Sequence, residues 1–291
     1  GPHAAGLLSA HLMESGWYEV TESLLECTVG LMIGTELIWS QMKKTGKQIV
    51  VMTVIESLGT FLVVSLVFSL ICIFTGLPIY LAFLFGGIAL ATAPAPSLSI
   101  VNEMRTSGPV TSTLIPMAAL DDLVGALVFF LVIAVVTART STRQIPVFVV
   151  VLLVFFPVIL GAVIGFAAGK LLGRVRSPKG SVLATSAMIL FSTAVGLILN
   201  WYVLPAPVLN FLLIGMAFST VFANMIPLEQ LGDIMRVLKP AVGFSLVVVI
   251  LNLGAPLDYH LIMGAGLFTA VYIAARAFGK YFGAWFGASI T

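Results

Sequence analysis

The chain has 291 residues, 60% of them hydrophobic and only 9% charged, with 14 basic and 12 acidic side chains. A soluble domain carries about 25% charged residues, and so few charges cannot cover the surface of a soluble protein of this size. Soluble enzymes, secreted disulfide-rich domains and disordered linkers are excluded, and an all-α integral membrane protein is the class that fits. The net charge of +2 is too small to suggest a nucleic-acid partner. Cys27 and Cys72 lie in apolar stretches without metal-ligand spacing, and His3, His11 and His260 are scattered, so no disulfide framework, metal centre or cofactor is expected.

A spanning helix needs roughly 20 predominantly apolar residues. About nine stretches qualify, near 20–41, 48–74, 78–102, 109–137, 145–171, 181–203, 206–224, 239–257 and 260–288. Alternation of the kind that marks an outer-membrane barrel does not recur. Glu26 and Glu36 sit on the first span, Glu36 near its interfacial end. Residues 225–238 have apolar positions at helical spacing among several charges, and read as an interfacial connector helix. Asn252, Gly254 and Pro256 close the eighth span, where Asn252 is expected to make an interhelical hydrogen bond. His260, at the outer end of the last span, reads as solvated.

The connections alternate between two sides. Lys43, Lys44, Lys47, Arg105, Lys170, Arg174, Arg176, Lys179, Arg236 and Lys239 fall on one side, and Arg139 and Arg143 on the other. By the positive-inside rule the first side is cytoplasmic and residue 1 lies outside. Gly1-Pro2 reads as a cloning scar or the interior of a longer protein, and the last span ends at Thr291 without a tail. The chain is therefore expected to be a fragment.

A charge at the bilayer centre costs at least ~2.5–3.5 kcal/mol, so each one left there needs a reason. Asp121 and Asp122 are adjacent, and Asp122 lies 13 residues past Pro109, or roughly 20 Å along a helix, near mid-membrane. The preceding span contains Thr92, Ala93, Pro94 and Pro96 in ALATAPAPSLS. Two prolines so close each remove a backbone donor and clash with the preceding turn, and are expected to open the helix at the same depth. Unwound backbone at membrane depth is tolerated where it lines a cavity or is buried in protein. A broken helix beside midplane carboxylates is the mark of an ion-coupled transporter. Glu56 and Arg276 are also intramembrane, and an unpaired guanidinium there is costly. Glu56 is the expected partner of Arg276, with Asp121 or Asp122 as the alternative. Lys280 reads as a snorkelling, solvated lysine. Gly279, Gly283 and Gly287 form a small-residue face suited to close helix packing.

The segment ATAPAPSLSIVNEMRTSGPVTSTLIPMAALDDLVGALVF resembles the monovalent cation/proton antiporter family 2, in particular its sodium/proton exchangers with two adjacent aspartates. RAFGKYFG at 276–283 is similar to that family's tenth helix, which carries a basic residue beside the site, and GPHAAGLL is similar to the loop after its first helix. The resemblance covers the whole chain, without the family's first helix and its last two. It implies the sodium/proton antiporter fold, with inverted repeats and a broken helix at the midplane. It also implies an elevator-like core moving against a dimer-forming scaffold: residues 1–41 and 174–258 as scaffold, 42–137 and 259–291 as core, and 138–173 as linker. Asp122 is implied as the essential ion- and proton-binding carboxylate, with Asp121 beside it, Thr92 in the crossover and Arg276 at the basic position.

The expected function is exchange of sodium or lithium for protons by alternating access, in a multi-pass protein of a bacterial inner membrane acting as a homodimer in the lipid bilayer. Potassium/proton exchange by the same superfamily and a non-transporting scaffold are the alternatives. An intramembrane aspartyl protease is disfavoured, because it needs aspartates facing each other from two helices, whereas adjacent residues on one helix diverge by about 100°.

Overall fold

A computed structural model of the chain describes residues 15–92, 103–140, 147–175, 177–204, 209–254 and 266–290. Its elements are α1 (Gly16–Glu36), α2 (Trp39–Thr75), α3 (Tyr80–Ala89), α4 (Pro109–Thr140), α5 (Val147–Leu172), α6 (Pro178–Ile198, continued by a π-turn Leu199–Val203), α7 (Phe211–Ala223), α8 (Leu228–Gly254) and α9 (Gly266–Ile290). Among the described residues there is no strand. Among the described residues, four stretches are long and apolar enough to cross a bilayer: Gly46–Thr75, Phe155–Leu172, Pro178–Val203 and Leu228–Gly254. Pro256, His260 and the break residues Ala93, Pro94 and Pro96 lie outside the described residues.

The chain divides into two compact units, Gly1–Ile38 with Leu153–Ala265, and Trp39–Leu152 with Gly266–Thr291. In the first unit, Cys27 and Leu31 recur at helical spacing and bury one face of α1 against α7. The approach is close because α1 offers Gly30 and Gly34 and α7 offers Gly215, and a Cβ at any of these would strike the facing backbone. Phe218 and Phe222 fill the middle, with ring centroids 5.0 Å apart. Capping sets where two helices begin. Ser177 accepts from the Gly180 amide at 3.0 Å ahead of Pro178, and Asn210 accepts from the Leu213 amide at 2.8 Å.

Residues 225–238 are not a separate connector. Leu228–Gly254 is one helix through Pro240. Leu231, Ile234, Val242 and Ser245 make one continuous buried stripe across the proline, so packing outweighs the single backbone bond it removes. Gln230 anchors the start of α8 by donating to the carbonyls of Leu172 (3.0 Å) and Val175 (3.2 Å) and to the Ser181 hydroxyl (2.8 Å). Near the other end, Asn252 makes the expected interhelical bonds: it accepts from the Tyr18 hydroxyl and donates to Glu22 on α1.

In the second unit, α2 bends at Gly46, whose φ of 82° is open to glycine. α9 runs antiparallel to α2, with Gly279 against Thr60, Gly283 against Glu56 and Gly287 against Met52. α3 runs antiparallel to both neighbours: its Gly86 meets Phe61 and Ser65 of α2, its Gly87 meets Phe129 of α4, and Ala91 just beyond it meets Gly125 of α4. α2 and α4 are therefore parallel. A second core of Val64, Phe68, Cys72, Ala82, Ala89 and Ala275 closes one end, where the Phe68 and Phe85 rings stack at 4.4 Å. The burial pattern of α2 is inverted relative to a soluble helix. Leu62, Leu66, Ile73 and Phe74 are exposed, while Thr53, Glu56, Ser57 and Thr60 are buried. Apolar residues outward and polar residues inward suit a helix in lipid whose inner face serves a site.

Candidate functional site

The site lies inside the second unit, where four elements bring charged and hydroxylated side chains to one depth. α4 supplies Asp121, 1% exposed. One of its carboxylate oxygens accepts from the Ser57 hydroxyl of α2. The other accepts from Thr92 at 2.5 Å and from the Lys280 ammonium at 2.5 Å. Glu56, 4% exposed, lies 2.7 Å from the same ammonium. Lys280 also donates to the Leu90 carbonyl. Its three N–H groups thus have three oxygen partners: two carboxylates and a backbone carbonyl.

Each placement follows from local sequence. Gly283 lets α9 approach so closely that an added Cβ would lie 2.8 Å from the Glu56 Cα. Lys280, one residue after Gly279 and three before Gly283, is carried to the α2 seam by that glycine face. On α4, Gly125 stands one turn after Asp121, and a Cβ there would lie 3.1 Å from Ala91. That gap admits the end of α3 and sets Thr92 against Asp121.

The α3 terminus leaves carbonyls without helical partners. Arg276 donates through Nε to Ala89 O (3.1 Å) and through its Nη2 to Ala91 O (2.7 Å), and Lys280 takes Leu90 O between them. Two cations of α9 therefore cap three successive carbonyls, where positive charge also suits the helix dipole.

Three expectations change here. The partner of Glu56 is Lys280, not Arg276. Arg276 does not occupy the basic position beside the aspartate; it caps α3, and Lys280 takes that position. Lys280 is not a snorkelling, solvated lysine, since its side chain is 19% exposed between two buried acids. The physical reason is common to all three: two carboxylates compensate an ammonium far better than one compensates a guanidinium whose fork already matches two carbonyls. Thr92 and Asp121 do come together. The side chain of Asp122 lies outside the described residues. Ser57 was missed, although its position beside Glu56 on a buried helix face was visible. Among the described residues no cluster of three or more His, Cys, Asp or Glu is placed to hold a metal.

Two carboxylates and a backbone carbonyl form an all-oxygen environment of the kind that hard cations take. The ammonium at its centre is itself a monovalent cation. A family model described as sodium/hydrogen exchanger, transmembrane, matches residues 31–290. The chain belongs to the sodium/hydrogen exchanger family. No curated protein matches it. Membership makes the chain an integral membrane cation/proton exchanger, and it points to transport rather than enzyme chemistry.

Proposed function

We propose that the protein exchanges sodium or lithium for protons across a bacterial plasma membrane, with Asp122 and Asp121 as the carboxylates for which cation and proton compete. The reading rests above all on one observation: Asp121, within α4, is buried beside the end of α3, and it is met there by Thr92, Ser57 and Lys280. A neutralised carboxylate crosses the apolar interior at far lower cost than an ionised one. If the unit holding α2, α3, α4 and α9 reorients only when the aspartate pair carries a cation or a proton, exchange follows without further machinery. The unit holding α1, α6, α7 and α8 is then the stationary scaffold, through which two copies associate.

The test is exchange by the full-length protein in proteoliposomes that carry an imposed pH gradient and a lumenal pH dye. Sodium or lithium should dissipate the gradient. Asp122→Asn should abolish the response and Asp121→Asn should reduce it at least tenfold. A response to potassium alone would transfer the reading to potassium/proton exchange, and no response to any of the three ions would refute it.

A further inference from the structure

Thr53 is 1% exposed, and its hydroxyl has no hydrogen-bond partner among the described residues. That is unusual within this chain. Thr28, Thr35, Thr60, Thr185 and Thr193 each satisfy the hydroxyl by donating to the carbonyl four residues earlier. A buried, unpaired hydroxyl costs about 1–3 kcal/mol. Ser65, which faces Gly86, is the other unpartnered buried hydroxyl among the described residues.

Position gives Thr53 its meaning. It precedes Ser57 by four residues, so the two share one face of α2 about 6 Å apart along the axis, and Ser57 is the residue that donates to Asp121. α2 and α4 run parallel, so Thr53 stands one turn from Asp121, at the level of the small, buried Ala118. It is displaced toward the end of α2 that carries Lys43, Lys44 and Lys47. Along this face Ile49, Thr53, Ser57, Thr60 and Val64 are all buried, so the polar stretch begins at Thr53 and is closed beyond it by Ile49.

We infer that Thr53 is a second station for the transported ion: its hydroxyl oxygen receives a partly hydrated monovalent cation, or the water that accompanies it, on the lysine-bearing side of Asp121. The inference rests on the exchange reading above and adds to it a residue that sets cation affinity from one side. Removing the hydroxyl has opposite consequences under the two accounts. If Thr53 merely packs, Thr53→Val deletes an unsatisfied group, leaves transport unchanged and raises stability. If it is a station, Thr53→Val removes a ligand from the path.

The experiment uses the full-length protein in proteoliposomes, with sodium and lithium concentration series for the parent, Thr53→Val and Thr53→Ser, and thermal unfolding of each in detergent. The expected result is a KM for the cation raised about threefold to tenfold in Thr53→Val, the effect of one lost hydrogen bond of usual strength. Thr53→Ser should match the parent, and Thr53→Val should melt no lower than the parent. An unchanged KM in Thr53→Val overturns the inference. Should Thr53→Val fail to fold, Thr53→Cys in a Cys27→Ala/Cys72→Ala background decides instead. Reaction with a small cationic methanethiosulfonate, slowed by saturating sodium, supports the station, and no reaction, or reaction indifferent to sodium, refutes it. If the parent exchanges no cation while Thr53→Cys still reacts, the exchange reading has failed and the polar path has not.

Discussion

Replacing Lys280 with methionine keeps the length of the side chain and removes the ammonium that Glu56 and Asp121 share. The two carboxylates lie 2.7 and 2.5 Å from that nitrogen, so they are no more than about 5 Å from each other. At an effective dielectric constant near 20, two like charges at that distance repel by roughly 3 kcal/mol. Loss of one partner of a buried pair costs about 3–5 kcal/mol, and the lower end applies because the lysine is 19% exposed. For a protein of this size such a loss corresponds to a fall on the order of 6–12 °C in unfolding temperature, measurable by intrinsic fluorescence in detergent. The sign of the double variant is the sharper test. Glu56→Gln in the Lys280→Met background removes one of the two repelling charges and should recover about half of the loss. In the parent background Glu56→Gln should lower stability. A Lys280→Met protein as stable as the parent, or a double variant less stable than Lys280→Met, would refute the shared-lysine account.

Four further outcomes follow from the packing. Gly283→Ala places a methyl group 2.8 Å from the Glu56 Cα and 2.9 Å from its carbonyl oxygen, and should cost about 1–3 kcal/mol by overpacking, together with most of the transport rate. Gly232→Ala, on α8 with nothing within 4 Å of the new Cβ, should be neutral or stabilising by up to about 1 kcal/mol, which makes it the control in the same thermal assay. Arg276→Lys retains the charge but cannot span the Ala89 and Ala91 carbonyls as the guanidinium does. It should lose about 1 kcal/mol or more of stability, and proteolysis should cut faster near the end of α3. Asn210→Ala removes the cap on α7, and should lower stability by about 1 kcal/mol without changing the KM for sodium.

How much of this could be read in advance depended on range. Composition and hydropathy gave the class, because scarce charge is a property of the chain alone. Asp121 and Thr92 were legible because carboxylate and proline-rich break were each unusual in an apolar segment and shared a depth. Pairing was harder, because it depends on the azimuth of each helix, which only packing sets. Arg276 and Lys280 are one turn apart, so depth alone could not assign Glu56 to either. The deciding signal was nonetheless present in Gly279, Gly283 and Gly287. A small-residue face is the one a neighbour approaches, and Lys280 is tucked into it, as the α2–α9 contacts bear out. Residues 225–238 misled for a related reason: their charges among apolar positions at helical spacing suggested an interfacial connector, while the buried stripe through Val242 and Ser245 made one helix.

The charge arithmetic of the site bears on what it carries. Glu56 and Asp121 bring two negative charges to one ammonium, and the guanidinium of Arg276 is committed to carbonyl oxygens rather than to an acid. The Glu56–Asp121–Lys280 group is therefore short of one positive charge before the adjacent Asp122 is counted. One monovalent cation or one proton restores the balance, whereas a divalent ion overshoots it. On the exchange mechanism proposed above, a group with one charge too few, in a place where an uncompensated charge costs several kcal/mol, takes up a singly charged species. Neutralising Glu56 as well removes that shortfall. Glu56→Gln should then weaken cation uptake even in protein that remains folded, because the site no longer begins the cycle in deficit. The measurement is the KM for sodium of Glu56→Gln against Glu56→Asp, and equal values for the two would show that the charge at this position plays no part.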